Sequence, residues 1–167
     1  MVAIIDYGLG NLYSVKKSLD KIGITSVITR ESKDIKMSDY IILPGVGSFK
    51  QGMYNLKKYD LIDTLYNQVI IEKKKFLGIC LGFQLIFETG TENGFHSGLG
   101  WIKGEVIKIE SDLTIPHTGW NNIRKSEEKN YIDSLENNFY FVHSYHVKPY
   151  DLSIIDSYVY HGLELVS

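Results

Sequence analysis

The side chain best placed to do chemistry is Cys80, the single cysteine, in Gly78-Ile79-Cys80-Leu81-Gly82. The apolar run Phe76-Leu77-Gly78-Ile79 leads into it and reads as a strand. Phe83-Gln84-Leu85-Ile86-Phe87 follows and reads as a buried helix. A nucleophile between strand and helix, with glycine two residues to either side, is the pattern of a sharp turn that lifts a reactive group clear of a sheet. The nucleophile's backbone is strained there, and side chains at the flanking positions would collide with the turn. A helix starting directly after the cysteine would also favour the thiolate, its reactive form. Free cysteine is by itself more often inert core; the placement reverses that expectation.

A second feature supports the same chemistry. Pro44-Gly45-Val46-Gly47 closes the preceding apolar run, Tyr40-Ile41-Ile42-Leu43. In a parallel sheet the carboxyl ends of neighbouring strands form the ligand crevice. A glycine-rich loop there can turn the peptide N–H groups of Val46 and Gly47 toward a developing oxyanion, and the N–H of Leu81 completes the hole. Two other patterns carry less. His143-x-x-His146 has the look of a metal pair, but on one strand an odd spacing puts the rings on opposite faces. Gly8-x-Gly10 follows the first apolar run with Glu31 further on, as in a dinucleotide fingerprint, yet Tyr13 fills the place of the third glycine. Neither metal nor cofactor is expected.

The elements that must position Cys80 are legible in outline. Val2-Ala3-Ile4-Ile5 reads as a strand buried on both faces. Leu12, Val15, Leu19 and Ile22 make one helical stripe, with Asn11 to cap its start and Gly23 its end. Ser26 to Thr29 and Tyr40 to Leu43 are further strands, and Leu61, Leu65 and Val69 mark another helix. This alternation predicts an α/β fold with a mostly parallel sheet between helices. From about Gly98 the pattern changes to strands, some antiparallel: Trp101 to Ile109, Phe139 to Val142 and Tyr158 to Tyr160. Arg124 to Asn138 reads as an exposed loop with a short helix. No linker divides the chain, so residues 1–167 are expected to form one domain.

Composition excludes several classes. The chain has 167 residues, 44% hydrophobic and 23% charged, with twelve Tyr and seven Phe, a profile of folded rather than disordered polypeptide. A formal net charge of −2 gives no basic surplus for nucleic acid. Lys73-Lys74-Lys75, the one dense basic run, reads as a solvated helix end. One cysteine allows no internal disulfide, the N-terminus lacks a secretory pattern, and no apolar run is long enough to span a membrane. A cytoplasmic protein is expected.

Gly78-Ile79-Cys80-Leu81-Gly82-Phe83-Gln84, preceded by Pro44-Gly45-Val46-Gly47, resembles the class I (triad) glutamine amidotransferases. Asp6-Tyr7-Gly8-Leu9-Gly10-Asn11-Leu12, Pro116-His117-Thr118-Gly119-Trp120-Asn121 and Phe141-Val142-His143-Ser144-Tyr145 narrow the resemblance to the branch that supplies ammonia for imidazole glycerol phosphate synthesis in histidine biosynthesis. The resemblance runs through the chain in order. It implies a flavodoxin-like three-layer sandwich and a thioester formed by Cys80 on the side chain of glutamine. It also implies that Gly45, Val46 and Gly47 form an oxyanion strand and that Gln84, Glu88 and the backbone of His143, Ser144 and Tyr145 hold glutamine. Trp120 and Asn121 would face a (β/α)8-barrel synthase partner, which receives ammonia shielded from water.

The chain departs from the family in two places. Members continue past the equivalent of Leu165-Val166-Ser167 to a strand ending Phe-His-Pro-Glu, which carries the base and the group that orients it. None of the five histidines here has Glu two residues on, so the chain is expected to lack that C-terminal segment and to turn over little glutamine. Trp101, in Gly98-Leu99-Gly100-Trp101-Ile102, stands where the histidine branch commonly has a smaller residue. That leaves open a paralogous subunit for nucleotide-sugar or surface-polysaccharide synthesis. A shortened, non-catalytic regulatory subunit is the other alternative.

Overall fold

A computed structural model of the chain describes residues 1–126 and 137–167. The first half builds a parallel sheet. Strands β1 (Val2–Ile5), β2 (Ser26–Thr29), β3 (Tyr40–Gly45) and β4 (Lys75–Cys80) lie in the order β2-β1-β3-β4. All three pairings are parallel. Every residue of β1 is buried, as its unbroken apolar sequence requires of a strand covered on both faces.

One face of the sheet presents Ala3, Ile5, Ile41 and Leu43 to the main core. There they meet Ile35 of α2 (Ser32–Met37), Phe49 and Leu56 of α3 (Phe49–Lys58), and Leu61 and Leu65 of α4 (Leu61–Tyr66). α4 continues into a wider π-helical turn over Asn67–Ile71. On the opposite face α1 (Leu12–Lys21) packs on β1 and β2. Its caps are those the sequence predicts. Asn11 accepts from the N–H of Ser14. At the other end Gly23, with φ +74°, donates to the Asp20 carbonyl while Ile24 donates to that of Leu19, the two bonds of a Schellman stop.

The Lys73-Lys74-Lys75 run follows the end of the π-helical turn, and Lys73 and Lys75 are exposed as a solvated helix end requires, but Lys74 is tied down. Lys75 opens β4, and the Lys74 ammonium donates to the carbonyls of Ile35 and Lys36 at 3.2 and 2.6 Å. It thereby ties down the negative end of α2.

The helix expected from Phe83 to Phe87 is cut to the four residues of α5 (Leu81–Gln84), and β5 (Phe87–Gly90) follows. The reason is competition for carbonyls. Leu99 donates to Leu85, Trp101 and Ile102 to Ile86, and Gly98 to Glu88, so these carbonyls serve another segment and the chain turns extended.

The second half is strand-rich, as expected. β6 (His96–Ser97), β7 (Ile102–Lys108) and β10 (Tyr145–Pro149) join β5 in the order β10-β7-β5-β6. β8 (His117–Lys125), β9 (Asn138–His143), β11 (Ser157–Tyr160) and β12 (Glu164–Val166) form an antiparallel sheet in the order β12-β11-β8-β9. Arg124 and Lys125 belong to β8 and Asn138 opens β9, so the ends of the expected loop are strand. The short helix placed within it falls on residues 127–136, outside the described residues. Among the described residues no helix is long and apolar enough to cross a membrane.

Candidate active site

The register of the parallel sheet builds the site. β3 and β4 run side by side, with Gly45 the ladder partner of Cys80 at their carboxyl ends. Cys80 turns the chain sharply, with φ 53° and ψ −111°, a conformation costly for a residue with a side chain. The flanking glycines are sterically required. A Cβ on Gly82 would stand 1.7 Å from the Leu43 carbonyl oxygen, and one on Gly78 would meet the Phe83 backbone at 2.7 Å. The elbow read from Gly-x-Cys-x-Gly is therefore formed.

Cys80 is in part open to solvent, and it faces a groove of about 540 Å³ that Gln84, His143, Tyr145 and His146 also line. Partial burial pushes its pKa above the ordinary 9.0, while the N–H of Leu81 donates toward the sulfur and pulls the other way. The expectation of a helix-promoted thiolate does not hold. α5 has four residues, and so short a helix sums to little dipole. The N–H of Leu81 is nonetheless directed into the site, beside the sulfur.

The other candidate residues divide by position. Val46 stands exposed at the tip of the loop after β3, and Gly47 follows with φ +114°. Gln84, on the last turn of α5, donates to the Tyr145 carbonyl at 3.2 Å. Ser144 separates β9 from β10. His143 and His146 therefore lie on strands of different sheets, not on opposite faces of one strand, although both rings border the groove. Among the described residues no group of three or more His, Cys, Asp or Glu could hold a metal. Trp120 is 72% exposed and meets Tyr140 edge-on at 5.8 Å, forming an aromatic ledge.

The Glu88 carboxylate accepts from the N–H of Gly104 at 3.2 Å. The Glu92 carboxylate accepts from the N–H of Phe49 at 2.7 Å, at the start of α3 and two residues past Gly47. Sequence reasoning missed Glu92, because nothing in its local pattern shows that β5 returns the chain to the start of α3. Tyr7 was also missed as part of the site. Its hydroxyl is buried without a hydrogen-bond partner among the described residues, close to Gly45, and its pKa is raised by burial and by the neighbouring Cys80.

A strained cysteine elbow facing a glycine loop across a parallel ladder is the equipment of a thiol acyl-transfer enzyme. The chain belongs to the class I glutamine amidotransferases: the model of that family matches residues 3–164. It is 48% identical over 155 residues to the imidazole glycerol phosphate synthase subunit HisH 1 of Campylobacter jejuni, covering 90% of this chain and 77% of that protein. It is 42% identical over 154 residues to the HisH subunit of Bacillus subtilis, covering 88% of this chain and 72% of that one. Among solved structures it is similar to a glutamine amidotransferase crystal structure with TM-score 0.68 and 14% identity, covering 96% of this chain and 85% of the other. It is also similar to a Thermotoga maritima glutamine amidotransferase with TM-score 0.59 and 15% identity, over 99% of this chain and 68% of that one. These structural matches establish the fold.

Proposed function

We propose that this chain is the glutaminase subunit of an imidazole glycerol phosphate synthase, acting in the cytoplasm beside a (β/α)8-barrel synthase subunit. The observation that carries the reading is the pairing of Gly45 with Cys80 at the strand ends, with Cys80 at a strained turn. In the reaction the Cys80 sulfur bonds to the side-chain amide carbon of glutamine. The carbonyl oxygen becomes an oxyanion, met by the N–H of Leu81 and the Val46-Gly47 loop. When it collapses the C–N bond breaks and the nitrogen leaves as ammonia, protonated by the proton the thiol gave up. Water then cleaves the γ-glutamyl thioester to glutamate and restores the thiol.

Trp101 does not weigh against the histidine branch. It packs edge-on to Phe76 at 5.2 Å, beside the core, and its size answers a packing need under β4.

Among the described residues no histidine hydrogen-bonds Cys80. β4 is an edge strand, with Leu77 and Ile79 exposed beside the groove. That no described histidine bonds Cys80 favours a second reading, a non-catalytic subunit that binds the barrel without turnover. Titration of the chain with a barrel synthase subunit, followed by assay of glutamine-dependent imidazole glycerol phosphate formation, separates the readings. Binding with glutamine-dependent product supports the first, and binding without product in the presence of glutamine supports the second. No binding overturns the assignment to this synthase.

A further inference from the structure

His117 lies in a hydrogen-bonded chain whose direction is fixed at both ends by backbone. At one end the Asn121 amide is held in one orientation. Its Oδ1 accepts from the N–H of Asn122 at 2.8 Å, and its Nδ2 donates to the Tyr160 carbonyl at 2.9 Å. The remaining Nδ2 hydrogen points at His117 Nε2, 3.2 Å away, so that nitrogen must accept. His117 Nδ1 must then carry the proton, and it lies 3.0 Å from His143 Nε2. At the far end His143 Nδ1 is 3.0 Å from the Tyr145 carbonyl. A carbonyl only accepts, so His143 also carries its proton on Nδ1 and accepts at Nε2. Both rings are thereby held neutral, in the same tautomer. Protonating His117 would set two donors against each other at Asn121.

The surroundings lock the first ring in place. His117 is 3% exposed and is stacked on Phe141 at 4.9 Å and on His161 at 4.2 Å. The chain ends where the site begins, because the Tyr145 carbonyl that receives His143 also receives Gln84, one turn beyond Cys80.

We propose that His117 is a positioning residue. Through His143 it fixes the Tyr145 carbonyl and the Gln84 amide on the wall of the Cys80 groove, and it links that wall to β8, the strand that carries Trp120. The role in substrate alignment rests on the glutaminase reading; the tautomer chain does not.

Two measurements on the full chain test it. Long-range ¹H–¹⁵N spectra of the histidine rings at neutral pH are expected to show His117 and His143 both neutral with the proton on Nδ1. A cationic His117, or a proton on its Nε2, overturns the relay whatever the protein does. The second measurement is the rate at which a γ-electrophilic glutamine analogue labels Cys80 in two variants. His117→Asn keeps a donor near the place of Nδ1, whereas His117→Gln keeps only the reach toward Asn121. The concentration for half-maximal labelling is expected to rise about tenfold in His117→Gln and to stay within about threefold in His117→Asn, the scale of one lost buried hydrogen bond. Alkylation by iodoacetamide, which needs no glutamine site, is expected to change in neither. Equal effects of the two substitutions overturn the positioning role. A wild-type chain that iodoacetamide alkylates and the analogue ignores overturns the glutaminase reading instead, and the spectra still decide the relay.

Discussion

Gly45 is the ladder partner of Cys80, so the glycine loop that follows β3 and the elbow that follows β4 leave the sheet side by side. The two segments are 35 residues apart in sequence, and only parallel pairing in this register brings them together. A shift of one residue would turn the loop away from Cys80. The site is thus a consequence of strand register as much as of residue identity.

The elbow tolerates no side chain at its flanks. Gly82→Ala places a methyl against the Leu43 carbonyl oxygen, and the strain spreads through the β3–β4 pair. Destabilisation of about 3 kcal/mol or more is expected from urea unfolding, at the upper end of overpacking costs. An unfolding midpoint equal to that of the wild type would contradict the geometry.

The reactivity of Cys80 should follow pH in the direction its surroundings dictate. Burial raises the thiol pKa above 9.0 despite the Leu81 N–H, so the thiolate is scarce at neutral pH. Iodoacetamide alkylation is expected to climb with pH and to reach half its maximum above 9.0. A midpoint well below that value would show a base or a cation beside the sulfur.

Stability should fall on mild acidification because of the same histidines that make the relay. His117 is pulled from its ordinary 6.5 to about 4, first by burial and then by the nearby His161 and His143. Burial lowers His143 and His146 as well. Below 6.5 the unfolded chain takes up a proton that folded His117 refuses, so its penalty is absent above 6.5 and grows as pH falls toward about 4. Urea midpoints are expected to drop between about pH 7.5 and about pH 5, with a shallower drop in His117→Phe. Identical slopes would contradict the assignment.

Trp120 should matter for association and little for folding. Most of its ring is exposed on the ledge with Tyr140. Trp120→Ala is expected to change stability by less than about 0.5 kcal/mol and to weaken binding of a barrel synthase subunit by about 2 kcal/mol, or roughly thirtyfold. Unchanged affinity by calorimetry would place the partner elsewhere.

The parallel half was largely legible because its signals are local. The buried run Val2–Ile5, the stripe and caps of α1, and the glycines around Cys80 each specify their own geometry. α3 passed unnoticed although Phe49, Gly52 and Leu56 are buried along one side, because glycine in the middle weakens a helical reading. β8 was hidden for another reason. His117-Thr118-Gly119-Trp120-Asn121-Asn122 is polar, and its strand is held by antiparallel pairing to β9 and by side-chain bonds such as those of Asn121. α5 ends early because distant N–H groups claim the carbonyls of Leu85 and Ile86, and no local pattern can reveal that. The same limit applies to Glu92, whose place at the start of α3 depends on the return of β5.

The central claim is that Cys80 occupies a glutamine-specific acyl-transfer site. Its most direct test is mass spectrometry of the chain after exposure to a γ-electrophilic glutamine analogue, with and without excess glutamine. The account expects one adduct, on Cys80, that glutamine suppresses and Cys80→Ala abolishes. An accessible Cys80 that takes iodoacetamide but not the analogue, or labels equally fast with glutamine present, would contradict it.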